Sequence, residues 1–576
     1  MRRQHLRPSQ IITTFGPGSV VDLPDDSVMI AGIEHWFDTN KPHRKVMEPR
    51  LQAALKVEEF RSPPVGSFGQ RDVPFVRFPR WRVCPRCSRL SDQFRWPRGN
   101  PELPPVPRCD KCDSTTYPAR IVVACPKGHI DDFPWYRWVH RGANCGGGNL
   151  FLRGEGRSAA LGDLRVACSC GRSMTLSGAL GSEAMSTAHC SCQGKRPWLD
   201  DEREQCGERL YSLQRGASNI YFSVVRSALS VPPWSDPLQA EVASWWGQFP
   251  TPPPRDHWAL IVKDRFPGED PERVYECIER LYGLKKSRPS IRSEEYQVLE
   301  GEDTEPSVHF EGRRRDLSAT GSRLLARLVA LPRLREVRVL IGFTRIQPSE
   351  MDPAAETFMD QEDLRVATAP LSARPPVWLP AVENLGEGIF IKLHAERLKA
   401  WEANEAVLRR SAVVTTAYAK WRHGRGLKVE QKQRPRLVLL HTLAHLLMRQ
   451  MALESGYSSA SLRERIYSDE SMAGLLIYTS SPDSDGSLGG LVRQASPADR
   501  FDGLLSSATE LARICSSDPL CREHDPSRTE RLNGAACHAC SMASETSCEF
   551  GNRLLDRQLV VSLATRDRTG YFDFDA

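Results

Sequence analysis

The densest run of apolar positions is RPRLVLLHTLAHLLMRQMALESGYS, residues 434–458. Its length and spacing predict a helix, with Pro435 in the first turn and Gly456 as the C-terminal cap. GSRLLARLVALPRLREVRVLIGF, residues 321–343, reads as a helix running into a strand. AGLLIYTSSPDSDGSLGGLV, residues 473–492, reads as a strand, a glycine loop and then a helix. TTFGPGSVVDLP, residues 13–24, alternates after a Gly-Pro-Gly turn, and PERVYECIERLYGLKK has a helical pattern with Cys277 on its core side. Residues 393–420 are helical and charged, 231–256 form a proline-rich linker or loop, and 346–380 an acidic loop. No stretch of about 18 apolar residues predicts a membrane span. The basic N-terminus lacks the apolar segment of a secretion signal, so a cytoplasmic protein is expected.

At 576 residues the chain exceeds what one core supports. The pattern changes predict an α+β, multi-domain protein: a mixed α/β segment over 1–80, a cysteine-rich zinc-binding region with zinc-ribbon-like modules over 81–230, a middle α/β region over 231–390, and a C-terminal α/β zinc-binding domain over 391–576. The net charge of +6 is uneven. Residues 1–120 hold 20 Lys/Arg against 13 Asp/Glu, and the stretch Arg409–Arg436 holds nine Lys/Arg against the single acid Glu430. Such patches suit phosphate backbones, or are simply solvated faces.

Sixteen of the 17 cysteines lie in two blocks, 84–206 and 515–548. An odd number of clustered thiols favours metal over disulfides. Cys84, Cys87, Cys109 and Cys112 form two C-x2-C pairs 21 residues apart, a spacing that completes a tetrahedron around zinc. Cys168, Cys170, Cys192 and Cys206 are the preferred second set, with Cys190 spare. Cys125 and His129, with His140 and Cys145, are a further candidate set, or a buried, satisfied group. Near the C-terminus Cys537, Cys540 and Cys548 are expected to share zinc with Cys521, placed ahead of Cys515 as fourth ligand. A haem attachment fails because Ser541 stands where C-x-x-C-H needs histidine.

Catalytic signatures are missing: there is no phosphate-binding G-x-x-x-x-G-K-[ST], no H-E-x-x-H and no G-x-S-x-G. His441 and His445 fall on one helical face, but Thr442 stands where a metalloprotease has glutamate, so packing inside a helical interface is the preferred reading. The Asp483, Asp485 and Ser487 loop is a metal or anion loop, or a structural turn.

HTLAHLL, YTSSPDSDGSLGGLV, DPLC and NGAACHACSMASETSCEFGNRLLDR together resemble a zinc-binding domain at the end of certain DNA-repair helicases. With RPSQIITTFGPGSVVDL, ACPKGHIDDFPWYRWVH and LQRGASNIYFSVVRSAL, the chain resembles the DrmB family, zinc-binding core subunits of DISARM anti-phage defence systems. The resemblance implies a non-catalytic partner of a helicase subunit (DrmA-like) that engages foreign DNA, with Zn2+ as cofactor and no membrane. The expected phosphate contacts are Arg409, Arg410, Lys420, Arg422, Arg425 and Lys428, together with arginines near 77–98. The alternatives are a nuclease or hydrolase using the 482–490 loop with His441 or His445, and a structural assembly hub.

Overall fold

Two long strands, Leu325–Thr344 and Trp378–Leu393, form the spine of the computed structural model. The model describes residues 6–574 apart from short stretches, the longest being 65–71, 96–105, 350–367, 425–433 and 480–488. The strands pair antiparallel, with Phe222–Leu229 beyond the first and Ala473–Thr479 then Leu462–Ser468 beyond the second. This one sheet therefore takes residues from both sides of positions 230 and 390.

The helix expected at the start of residues 321–343 is a single turn, Gly321–Leu324, and the strand begins at Leu325. Leu325–Thr344 is paired on both sides, and Leu328–Leu331 are buried in succession, so the apolar run there is continuous rather than alternating. Pro332, which cannot donate to a ladder, falls at the register shift between Leu331 and Leu334. The expected helix at 435–455 is found as Pro435–Ser455, capped by Gly456 at φ 75°. It lies in the largest apolar cluster, with Leu439, Leu443 and Leu447 fully buried against Ile389, Ile391 and Leu475 of the sheet. The charged region before it forms the helices Ala395–Glu402 and Glu405–His423. Cys277 is buried on the helix Pro271–Lys286 among Trp246, Val274 and Ile278.

The cysteine-rich region is built differently. Its strands are two to five residues long, in a six-stranded sheet that includes Arg82–Val83, Arg89–Ser91, Leu150–Gly154 and Leu164–Cys168. A three-stranded sheet, Ile130–Asp132, Ile121–Ala124 and Tyr211–Gln214, stands beside it in sequence. The whole is a mixed α+β fold with zinc-ribbon-like modules. Among the described residues no helix is long and apolar enough to cross a membrane.

Candidate metal centres

Cys84, Cys87, Cys109 and Cys112 converge, their ligand atoms within 4.8 Å of one another. The two C-x2-C turns have the same backbone. Ser88 and Asp113 donate N–H to the carbonyls of Cys84 and Cys109 at 2.9 and 2.8 Å, and both lie in the left-handed region at φ 60° and 52°. Cys84 and Cys109 in turn donate to the carbonyls of Arg89 and Ser114. Each turn thus aims two thiols at one point, and the pairs meet with Cys87 and Cys109 Sγ 3.7 Å apart.

The expected set Cys168, Cys170, Cys192 and Cys206 is corrected: it divides between two centres. Cys192 and Cys206 join Cys125 and His129, and Cys168 and Cys170 join His140 and Cys145. Strand pairing is the cause. Tyr211 lies opposite Ala124, which carries the preceding Cys206 towards Cys125 to within 4.0 Å. Leu150 lies opposite Cys168, which brings Cys145 to 3.7 Å from it. Neither pairing is visible in the spacing of cysteines.

In the Cys125 centre a tight turn at Gly128, φ +88°, returns the chain so that His129 Nδ1 sits 3.4 Å from Cys125 and 3.5 Å from Cys192 Sγ. Its other nitrogen, Nε2, lies 3.3 Å from the Glu204 carboxylate. That partner fixes Nε2 as the protonated nitrogen and leaves Nδ1 to bind. The Cys125 thiol beside Cys192, opposed by burial and aided by His129, pulls the Cys192 thiol down to about 4. In the Cys145 centre, His140 Nδ1 donates to the carbonyl of Tyr136 on its own helix at 2.8 Å, presenting Nε2 to Cys170 at 3.4 Å. Cys190 lies outside both centres and donates to the Ala188 carbonyl.

The fourth centre is Cys515, Cys521, Cys537 and Cys540, all buried. Sγ atoms of Cys515 and Cys537 are 3.5 Å apart, and those of Cys521 and Cys540 3.7 Å. Asp518 accepts the Cys515 N–H at 3.0 Å and is held in turn by Arg557. Hydrogen bonding from Cys521, against burial, lowers the Cys540 thiol to about 4. A thiol already acidic gives up its proton readily to a metal. The expected ligand Cys548 is corrected here: its thiol faces His441 at 3.1 Å, and Cys515 occupies the place assigned to it. Cys548 and Cys540 are close in sequence, but their side chains join different groups of donors.

The basic run Arg409–Arg436 is not one exposed stripe. Arg409 is exposed and paired with Glu405, and Lys420 is exposed. Arg410 turns inward to the buried Asp556 at 2.6 Å, and Arg422 is buried beside the Tyr418 hydroxyl. Arg425 and Lys428 lie outside the described residues, as does most of the 482–490 loop. In the 77–98 group, Arg77 and Arg82 pair with Asp26, Arg80 with Asp132, Arg89 with Asp110 and Arg95 with Asp113.

Sequence reasoning missed a cleft of about 650 Å3 between the central sheet and the C-terminal loops, lined in part by Arg338, Arg463, Tyr418 and Arg553. Burial, with Arg463 beside it, lowers the Arg338 guanidinium to about 10. The two arginines come from strands far apart in sequence, so no local charge run marks them.

A family model described as the MrfA Zn-binding domain matches residues 443–541, spanning all four ligands of the last centre. A model of a domain of unknown function, DUF8724, matches residues 7–222. A DISARM protein DrmB from Bacillus paralicheniformis is 34% identical over 96% of this chain and 99% of its own length. The C-terminal domain is thus a zinc-binding domain, and the cysteine and histidine clusters supply sites able to hold zinc. With identity of that extent across nearly the whole of both chains, the chain belongs to the DrmB family of DISARM defence proteins.

Proposed function

We propose that this chain is a non-catalytic, zinc-stabilised subunit that binds a helicase partner in the cytoplasm and helps hold foreign DNA. The four cysteine-rich centres each offer four protein donors, which fill the tetrahedron zinc prefers in structural sites. A catalytic zinc keeps one position for water or substrate.

The observation that carries the DNA reading is the Arg338–Arg463 pair in the cleft. Arg338 and Arg463 repel each other, Glu336 beside Arg338 and the other cleft glutamates offset part of that repulsion, and an anionic phosphate between the arginines relieves the rest. The helix Glu405–His423 borders the same cleft through Tyr418, while its exposed Arg409 and Lys420 lie on the far side of that helix. Contacts of this kind read charge and strand geometry rather than base sequence.

The test is DNA binding by the complex with its helicase partner across a salt series. Each lost phosphate contact lowers the slope of log K against log salt by about 0.7–0.9, so Arg338→Gln with Arg463→Gln lowers it by about 1.4–1.8. An unchanged slope with the fold intact rejects the cleft. Metal-dependent DNA cleavage by the purified chain alone rejects the non-catalytic reading.

A further inference from the structure

The side chains of His441, His445, Glu464 and Cys548 form a fifth group of donors among the described residues, with ligand atoms all within 4.8 Å. His441 and His445 project from one face of the core helix Pro435–Ser455, four residues apart. Glu464 comes from the strand Leu462–Ser468, and Cys548 from the C-terminal loop. His441 Nε2 is 3.1 Å from Cys548 Sγ and 3.1 Å from Glu464 Oε1; His445 Nε2 is 3.4 Å from the same oxygen. Both histidines and Glu464 are buried, and Cys548 is half-buried.

The hydrogen bonds define what each atom offers. His445 Nδ1 donates to the Ser541 carbonyl at 2.7 Å, which leaves Nε2 facing the Glu464 carboxylate oxygen. A metal ion between this nitrogen and the carboxylate oxygen satisfies both buried groups at once. The Asn552 N–H points at Cys548 Sγ at 3.2 Å, and the Glu549 N–H at Glu464 Oε1 at 3.1 Å, contacts that fix the direction of both donor atoms. Glu464 Oε2 is buried with no hydrogen-bond partner.

We propose that this group is a fifth metal site, holding one zinc-class divalent ion through two histidines, one glutamate and one cysteine. The charges balance: a thiolate, a carboxylate, two neutral imidazoles and a divalent cation sum to zero, which suits burial. The thiolate disfavours magnesium and calcium, and the mixed sulfur, nitrogen and oxygen donors fit a tetrahedral zinc. The site is separate from the four-thiol centre yet tied to it, because the Ser541 carbonyl that orients His445 follows Cys540 directly. The match to the MrfA Zn-binding domain includes His445 and Glu464 but stops short of His441 and Cys548. An ion here clasps the core helix to the edge strand and to the loop that lines the arginine cleft.

Native mass spectrometry of the full chain, purified with zinc supplied, counts the ions. Five per chain are expected, one for each donor group. Cys548→Ala and Glu464→Gln are each expected to lose one ion while circular dichroism is unchanged. A Cys548→Ala chain that folds and keeps the wild-type count overturns the proposal. Should neither variant fold, the wild-type count decides: a fifth ion supports the site, and four or fewer overturn it.

Discussion

Glu204 shows how one surface residue can govern a buried centre. It is half-exposed, yet its carboxylate takes the proton-bearing side of His129 at 3.3 Å and also pairs with Arg196. Without it, either ring nitrogen of His129 can carry the proton, and only one of the two forms binds metal through Nδ1. Partners of this kind contribute about 10–100-fold in metal affinity. Glu204→Gln is therefore expected to release one ion per chain earlier in a chelator titration, with the remaining ions unaffected and little change in fold. Release that matches the wild type at every step would show that His129 is oriented by something else.

At the scale of the element, the helix Glu405–His423 carries two kinds of arginine side by side. Asn404 caps its N-terminus by accepting the Ala406 N–H at 2.8 Å, and its apolar face packs through Val407 and Val414 into the main core. Arg410 crosses to Asp556, which is fully buried and also accepts the N–H groups of Ala535 and Gln558. Removing Arg410 strands a buried carboxylate, a change that costs about 3–5 kcal/mol. Arg409, paired only with exposed Glu405, contributes about 0.5 kcal/mol at most. Arg410→Ala should thus lower the thermal transition and expression sharply, and Arg409→Ala hardly at all. Equal effects in a melting experiment would mean that the Arg410–Asp556 contact does not hold the helix to the C-terminal loops. The same contrast separates structural from DNA-facing charge: a loss of DNA binding in Arg410→Ala would report unfolding first.

Across the whole molecule, two ways of making a fold coexist. The central sheet and its helices have an apolar core running from Leu325 to Tyr571, with strands of 16 and 20 residues. The cysteine-rich region has strands of a few residues and a smaller core around Trp135, Val123 and Val166. Small modules of that kind draw on metal for their folding energy, with an apparent binding energy of about 10–16 kcal/mol per structural zinc at neutral pH. A strong chelator should therefore raise hydrogen exchange across residues 82–214 and 515–557 while Leu325–Thr344 stays protected. Uniform loss of protection, or none, would show that the metal centres and the central sheet are one cooperative unit or that the thiols hold no ion.

The sequence by itself determined the features that depend on near neighbours. Pro435 and Gly456 delimit the core helix because the constraint of each is local. The pairs Cys84–Cys87 and Cys109–Cys112 carry their turn within five residues, so their convergence on one point was readable from spacing. Family membership was legible from motifs spread over both ends and the middle of the chain. Tertiary structure alone decided which distant donors meet. The pairing of Tyr211 with Ala124 and of Leu150 with Cys168 sorted one expected set of cysteines into two centres, and strand order has no signature in cysteine spacing. Packing of the core helix against the Leu462–Ser468 strand and the C-terminal loop sent Cys548 to His441 and left Cys515 to complete the four-thiol centre. The stretch 321–343 reads as a helix before the strand because successive burial at Leu328–Leu331 erases the alternation that would mark it. Arg410 likewise looks like surface charge in a linear run, and only the position of Asp556 across the fold turns it inward.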